Sequence, residues 1–230
     1  MRRLLLFDID GTLVAGGPAK AAFQVALMEA FGTTGPIESH PFAGKTDPQI
    51  ARELMGRAGV SDPDIDRGLP VLYERYLREL EERLPARPVS VLPGIHELVS
   101  ALAELEDVAL GLVTGNIAGG ARLKLRGPGL DHHFAVGAYG SDAEERNELP
   151  GVALGRARDR WGVEFARADV VVIGDTPRDV ECGQAHGLTT VGVATGGYGA
   201  ADLEAAGADH VLSDLSDTRG VRELLAGAGA

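Results

Sequence analysis

Short apolar runs alternate with helical patterns over much of the chain. Four runs of four to six residues stand out, at 4–7, 108–113, 170–173 and 189–193. Such runs are typical of strands buried on both faces of a parallel sheet. Between these runs, apolar residues recur at helical spacing, as in the stripe Ile95, Leu98, Val99, Leu102 and Leu105. This alternation predicts an α/β fold with a doubly wound parallel sheet.

Residues 15–90 interrupt that alternation. They contain two apolar stripes at helical spacing, within 22–31 and 65–84, and no strand-like run between them. Glycine and proline are frequent at both ends of the segment, as is usual for linkers. The pattern therefore predicts an all-helical insert at 15–90, within a core formed by residues 1–14 and 91–230.

Polar clusters follow three of the four predicted strands. They are Asp8-Ile9-Asp10-Gly11-Thr12, Thr114-Gly115-Asn116, and Gly174-Asp175-Thr176-Pro177-Arg178-Asp179. In doubly wound sheets, ligands bind beyond the carboxyl ends of the strands. We therefore expect the side chains of Asp8, Asp10, Thr114 and Asp175 to meet at one edge of the sheet.

Four carboxylates at one edge require a countercharge. Asp8 and Asp10 are two residues apart, and Asp175 and Asp179 add further negative charge; unneutralised like charges at close range do not stay ionised. Mg²⁺ is a hard cation that prefers oxygen ligands. Thr114 and the backbone N–H groups after it suit anionic oxygens. Each cluster alone also fits a turn or a helix cap, but the three together indicate a Mg²⁺ site beside an anion site.

With these motifs the sequence resembles the haloacid dehalogenase-like hydrolase superfamily, in the phosphatase branch that carries a helical cap and includes phosphoglycolate phosphatase. The resemblance covers essentially the whole chain, with the cap at 15–90. It implies a Rossmann-like core, Mg²⁺ dependence and phosphoryl transfer through an aspartyl-phosphate. By matching position, Asp8 is the nucleophile, and Asp10 is first the general acid and then the general base.

The resemblance also implies a set of metal ligands. They are the carboxylates of Asp8 and Asp175 and the backbone carbonyl of Asp10, with Asp179 as a further or more distant ligand. Thr114 and the backbone N–H groups near Gly115 and Asn116 hold the transferring phosphoryl oxygens.

The chain departs from the family pattern at the third motif, where a lysine, often followed by proline, is usual. The three lysines lie outside the stretch between Phe134 and the Gly174 motif; they are Lys20, Lys45 and Lys124. Arg146 precedes the helical pattern at 149–157, so it is the candidate for this role, with a charge that can neutralise Asp8 and the phosphoryl group. The alternative is an exposed arginine paired with a neighbouring glutamate, Glu144 or Glu145.

A second short motif, Gly44-Lys45-Thr46-Asp47, lies in the predicted insert. It is not a P-loop, because Ser39 stands where the first glycine is required and no buried strand precedes it. The resemblance implies instead that Gly44, Lys45 and Thr46 face the active site and select the substrate, with Lys45 available to a second anionic group. The alternative is a helix start capped by Thr46 or Asp47.

Composition narrows the choice of partners and of compartment. The chain has 22 Lys and Arg against 34 Asp and Glu, a formal net charge of −12, so it lacks the basic excess of a protein that binds nucleic acid or an anionic membrane. Its one cysteine, Cys182, cannot form an internal disulfide or a structural zinc site. We therefore expect a cytoplasmic protein with a small phosphorylated metabolite as its partner. The oligomeric state is left open.

The leading hypothesis is a Mg²⁺-dependent phosphatase acting on a small phosphomonoester, with phosphoglycolate suggested by analogy. A phosphomutase or a phosphonate hydrolase is the alternative, since these share the first motif and the cap. A haloacid dehalogenase is disfavoured because it uses neither the second aspartate nor the metal. A non-catalytic binding module of the same fold is opposed by the presence of all five residues Asp8, Asp10, Thr114, Asp175 and Asp179.

Overall fold

The structure, a computed structural model, describes residues 3–227, so the ends of the predicted core at 1–2 and 228–230 lie outside the described residues. In chain order its strands and α-helices are β1 (Arg3–Phe7), β2 (Val14–Gly16), α1 (Ala19–Phe31), α2 (Asp47–Arg57), α3 (Asp62–Arg83), β3 (Val89–Val91), α4 (Ile95–Ala103), β4 (Val108–Thr114), α5 (Ala118–Arg126), β5 (Val136–Tyr139), α6 (Leu149–Trp161), β6 (Val170–Gly174), α7 (Pro177–Gln184), β7 (Thr189–Val193), α8 (Ala200–Ala205), β8 (His210–Leu212) and α9 (Thr218–Ala226).

Six of the strands within residues 3–227 form one parallel sheet in the order β5-β4-β1-β6-β7-β8. β1 lies between β4 and β6, with Phe7 level with Leu112 on one side and with Ile173 on the other. The predicted α/β fold with a doubly wound parallel sheet is confirmed. The four apolar runs became β1, β4, β6 and β7. The pattern missed β5 and β8, which are the short strands at the two edges of the sheet.

Both faces of the sheet are covered by helices, which explains the continuous apolar runs. Along β1, Leu5 and Phe7 pack with α4, α5 and α9, whereas Leu4 and Leu6 pack with α6 and α7. Successive side chains of a strand point to opposite faces, and all four are fully buried. Each such side chain contributes roughly 1.5–3 kcal/mol by leaving water. This burial fixes the carboxyl end of β1, where the first acidic motif begins.

The helices α1, α2 and α3 form a second hydrophobic cluster above the carboxyl edge of the sheet, and Ile117 of the core contributes to it. We call the segment 15–90 the helical insert, as predicted from the sequence. Its two connections are not simple linkers, because β2 and β3 pair there as an antiparallel ribbon. The prediction of an all-helical segment with loop linkers was wrong on this point. Strands of three residues carry no readable periodicity, and the partner strand is distant in sequence.

No helix within residues 3–227 combines the length and the apolar character that crossing a bilayer requires.

Candidate active site

Three of the predicted site residues lie at the carboxyl ends of three neighbouring strands, at one edge of the sheet. Asp8 directly follows β1, Thr114 is the last residue of β4, and Asp175 directly follows β6. All three side chains are buried. They line a cavity of about 400 Å³ that lies between the sheet and the helical insert. The strand order therefore brings together residues that are up to 167 positions apart in the chain (175 − 8).

An acidic cluster lies at the base of this cavity. Carboxylate oxygens of Asp8, Asp175 and Asp179 lie within 4.8 Å of one another, and all three residues are buried. Arg146 Nη2 lies 3.0 Å from Asp8 Oδ1 and also pairs with Asp179 Oδ1. Three carboxylates against this one guanidinium leave two negative charges uncompensated within the cluster.

The pKa values of the cluster reflect that imbalance. Burial, followed by the charge of Asp8 and then that of Asp179, raises the pKa of Asp175 to about 8. Burial also raises the pKa of Asp8 to about 6, although the charge of Arg146 opposes the shift. Desolvation and like charges both disfavour an ionised carboxyl. The site therefore favours a bound positive charge.

Two glycines make room for the Asp175 carboxylate. A Cβ on Gly11 or on Gly196 would collide with its Oδ2 atom. Gly11 has a φ of +89°, a conformation that side chains rarely adopt. Thr12 Oγ1 donates to Asp175 Oδ1 at 3.3 Å. Gly11 belongs to the predicted first motif, but Gly196 was not assigned to the site because it lies in a loop beyond the three strand-end motifs.

Asp179 is held by its own helix. Its Oδ2 accepts hydrogen bonds from the backbone N–H of Thr176 at 3.0 Å and from Thr176 Oγ1 at 2.7 Å, which closes a capping box at the start of α7. Its Oδ1 accepts from Arg146. Because both oxygens already have protein donors, Asp179 is suited to hold Arg146 against Asp8. Asp8 and Asp175 line the cavity, whereas Asp179 does not.

Arg146 lies at the position that the third-motif prediction required. It begins a 3₁₀ turn, Arg146–Glu148, just before α6, and it is buried. It pairs with Asp8 and Asp179, whose charges hold its pKa above the ordinary value despite burial. The alternative of an exposed arginine paired with a neighbouring glutamate does not describe this geometry, since Glu144 pairs with Arg52.

Lys124 is a site residue that the sequence analysis missed. Its ammonium group donates to both carboxylate oxygens of Asp10, at 2.8 and 2.6 Å, and to Asn116 Oδ1 at 2.7 Å. It is buried on α5 and lines the cavity. A signal existed, because Lys124 shares the buried face of α5 with Ala121 and Leu125, at helical spacing. A lysine on an apolar helix face is expected to have a buried partner.

Asn116 links Lys124 to the strand end. Its Nδ2 donates to Asp10 Oδ2 at 2.7 Å and to Thr114 Oγ1 at 2.9 Å. Because Thr114 Oγ1 accepts this bond, its own hydrogen can be donated to a ligand oxygen. Asn116 therefore orients both a carboxylate and a hydroxyl group at the cavity.

The segment 44–47 of the helical insert packs closely against core residues at the cavity. A Cβ on Gly115 would collide with the carbonyl oxygen of Lys45, and a Cβ on Gly44 would meet Thr176 Oγ1 at 2.6 Å. Arg146 Nη1 donates to the carbonyl oxygen of Gly44 at 3.2 Å. Gly44, Lys45 and Gly115 all line the cavity. The two glycines permit this close approach of insert to core.

Thr46 does not line the cavity, in contrast to its prediction as a substrate-binding residue. Its Oγ1 accepts from the backbone N–H of Gln49 at 3.2 Å, which caps α2, and donates to the carbonyl oxygen of Glu144 at 2.6 Å. The hydroxyl group therefore uses both its donor and its acceptor capacity in hydrogen bonds that stabilise the fold. The helix-cap alternative describes Thr46, whereas Lys45 beside it does face the cavity.

Known proteins are similar in sequence to this chain. Residues 5–193 match the family model described as haloacid dehalogenase-like hydrolase. The chain belongs to the haloacid dehalogenase-like hydrolases. A phosphoglycolate phosphatase of Synechococcus elongatus is 31% identical over 213 residues, which cover 93% of each chain. A pyrophosphatase, PpaX, of Listeria innocua is 28% identical and likewise covers 93% of both chains.

Solved structures share the fold of this haloacid dehalogenase-like hydrolase. A crystal structure of a hydrolase from Pseudomonas syringae is similar with a TM-score of 0.68 at 23% identity, covering 98% of this chain and 100% of that one. The family and the enzyme class predicted from the motifs are thus confirmed.

Asp47 gives this haloacid dehalogenase-like hydrolase a pH-dependent stability. Its Oδ2 accepts from the backbone N–H of Ile117 at 2.8 Å, yet burial, with a smaller contribution from Asp10, raises its pKa from 3.8 to about 6 against the opposing charge of Lys124. The folded state therefore binds this proton more tightly than the unfolded state does. The resulting stability is present at low pH and is lost as the pH rises through 4 to 6.

We expect Asp47→Asn to be more stable than the original protein at pH 7.5, by about 1–2 kcal/mol or roughly 2–8 °C in Tm. The difference should vanish near pH 4, where Asp47 is protonated in both states. Thermal unfolding of both proteins in metal-free buffer at the two pH values measures it. A Tm difference that is the same at both pH values would contradict the assignment.

Proposed function

We propose that the protein is a Mg²⁺-dependent phosphatase that hydrolyses a small phosphomonoester through an aspartyl-phosphate on Asp8. The observation that carries the proposal is the acidic cluster at the base of the cavity, in which Asp8 pairs with Arg146 and also lies within 4.8 Å of a carboxylate oxygen of Asp175. The phosphatase names of two relatives, one for phosphoglycolate and one for pyrophosphate, support it.

The donor set suits Mg²⁺. Asp8 and Asp175 offer buried carboxylate oxygens, and the acidic cluster carries two uncompensated negative charges. Hard oxygen ligands of this kind favour Mg²⁺ over softer metals. We assign the ion to these two carboxylates and to the backbone carbonyl of Asp10, with Asp179 behind them. When bound, the ion supplies positive charge that offsets the repulsion between a carboxylate and an anionic phosphate.

In the first step, an Asp8 carboxylate oxygen forms a bond to phosphorus while the bond from phosphorus to the leaving oxygen breaks. The Thr114 hydroxyl and the Arg146 guanidinium are the side-chain donors placed to hold the phosphoryl oxygens. The leaving oxygen takes a proton from Asp10. Positioning and charge stabilisation supply most of the rate in such transfers.

Asp10 cannot donate a proton in the position seen here. Lys124 donates to both of its oxygens, and Asn116 donates to one of them. Its side chain is 43% exposed, so it can rotate away from Lys124 toward the leaving group. In the second step the Asp10 carboxylate accepts a proton from water, whose oxygen attacks phosphorus, and phosphate and free Asp8 are released.

The substrate that this proposal favours is a phosphorylated small acid such as phosphoglycolate. Lys45, a residue of the helical insert, lines the cavity together with Asp8 and Asp175 and offers a positive charge to a second anionic group. The cavity of about 400 Å³ has room for such a molecule.

Removal of the metal tests the proposal. With p-nitrophenyl phosphate as substrate, treatment with EDTA is expected to lower turnover by at least about 100-fold, because the carboxylate nucleophile then meets the phosphate without a countercharge. Excess Mg²⁺ should restore turnover and raise the Tm of the protein. Full turnover in the presence of EDTA would contradict the proposal. A panel of phosphorylated metabolites, with released phosphate as the readout, would then rank the substrates.

A further inference from the structure

The cavity has a second end, in the helical insert, where a buried histidine faces it. His40 is 5% exposed and lines the cavity together with Phe42, Lys45 and Lys20. Its ring packs edge-on against Phe42, with centroids 5.8 Å apart and an interplanar angle of 79°. This packing restrains the plane of the ring but gives the two ring nitrogens no hydrogen-bond partner.

Neither ring nitrogen of His40 forms a hydrogen bond with any residue in the described range 3–227. Nε2 lies 3.3 Å from Glu53 Oε2 but without the alignment of a hydrogen bond. Glu53 is already occupied, because Lys45 donates to its Oε2 and Gln49 donates to its Oε1 at 3.0 Å. A buried polar group without a partner destabilises a protein unless water or a ligand supplies one.

The charge around His40 favours an anionic ligand. Lys45 and Lys20 line the same cavity. Lys45 is paired with Glu53 and Lys20 with the exposed Glu38, and the charge of Arg57 adds to that of Lys45 at the His40 ring. Burial and the charges of Lys45 and Arg57 lower the pKa of His40, and Glu53 opposes them. The ring is therefore neutral at neutral pH and has one N–H group to donate. A carboxylate can accept that hydrogen bond and one from Lys45 at the same time.

We propose that His40 is a specificity-determining residue that, with Lys45, hydrogen-bonds a carboxylate at the end of the substrate remote from the phosphoryl group. The inference rests on the proposed phosphatase function and assigns the side chain that recognises the carboxylate of the phosphorylated acid. His40 binds through the ring N–H and takes no part in the bond changes at phosphorus.

A matched pair of substrates tests the assignment. 2-Phosphoglycolate carries the carboxylate, and 2-hydroxyethyl phosphate has a hydroxyl group in its place on a chain of equal length. We expect the kcat/KM of the original protein to be higher for 2-phosphoglycolate than for 2-hydroxyethyl phosphate, by about tenfold or more. His40→Phe, which keeps the packing on Phe42 but has no donor, should lose that preference, mainly through a higher KM for 2-phosphoglycolate. His40→Gln, which restores a donor, should recover part of it.

His210→Gln is the matched control, because His210 is an exposed residue of β8. It should keep the full preference for 2-phosphoglycolate. If kcat/KM fell equally for both substrates in His40→Phe and His40→Gln, the inference would be overturned, since this would indicate a packing role for His40. Hydrolysis of both substrates by the original protein without preference would also overturn it, yet leave the proposed function standing. Failure of the original protein with Mg²⁺ to hydrolyse these substrates and p-nitrophenyl phosphate would contradict the proposed function itself.

Discussion

Asp8→Asn is expected to abolish phosphatase turnover without destabilising the folded protein. An amide oxygen is too weak a nucleophile to form the acyl phosphate, so we expect turnover to fall by about 10⁴-fold or more. The substitution removes one of three crowded negative charges while Arg146 keeps its pairing with Asp179. In metal-free buffer at pH 7.5 the Tm should therefore be unchanged or higher. Steady-state turnover and thermal unfolding measure the two effects.

Asp159→Asn is the control for the loss of a carboxylate, since Asp159 is a largely exposed residue on α6. It should change neither turnover nor Tm measurably. Turnover that survives in Asp8→Asn would show that another group is the nucleophile. A large drop in Tm would show that Asp8 stabilises the fold, and the loss of activity would then say nothing about its chemical role.

Arg146→Met is expected to cost both stability and activity. The guanidinium is buried, and its removal leaves Asp8 and Asp179 without their countercharge. Breaking one side of a buried ion pair destabilises by about 3–5 kcal/mol, or roughly 6–20 °C in Tm for a chain of this size. Turnover should fall by about 10³-fold, since a charged donor to the phosphoryl group is lost. Mg²⁺ should restore part of the stability because it compensates the same carboxylates.

The conservative variant Arg146→Lys separates charge from geometry. An ammonium group keeps the charge but cannot reproduce the planar contacts to Asp8, to Asp179 and to the carbonyl of Gly44. We expect it to recover most of the stability and part of the activity. Arg156→Met is the matched control, because the Arg156–Asp142 pair is half-exposed and such pairs contribute about 0–1 kcal/mol. Equal Tm losses in Arg146→Met and Arg156→Met would contradict the central place given to Arg146.

The main strands and the three acidic or polar motifs could be predicted from the sequence for a common physical reason. A strand buried on both faces must be apolar throughout, so β1, β4, β6 and β7 stand out as uninterrupted runs. The polar residues that end three of them must then lie at the sheet edge. The short strands β2, β3, β5 and β8 give no such signal, since three or four residues with a distant pairing partner show no period of their own.

The positions of the side chains that complete the site depended on long-range packing. The helical spacing of Lys124 with Ala121 and Leu125 places it on an apolar face, but only the folded chain shows that its partner is Asp10. His40 has no motif at all, and it faces the cavity only because the helical insert folds over the sheet. Thr46 stood in a motif that suggested ligand binding, and the folded chain uses it as a helix cap.

The sequence by itself determined which polar side chains lie together at the strand ends, because the order of buried runs and acidic motifs leaves Asp8, Thr114 and Asp175 at one edge of a parallel sheet. The resemblance to the family also made Arg146 the candidate for the basic residue of the third motif. Only the tertiary structure decided which cations meet which carboxylates: Arg146 reaches Asp8, and Lys124 reaches Asp10. The reason is physical, since burial and pairing depend on distances across the fold, which local residue patterns do not encode.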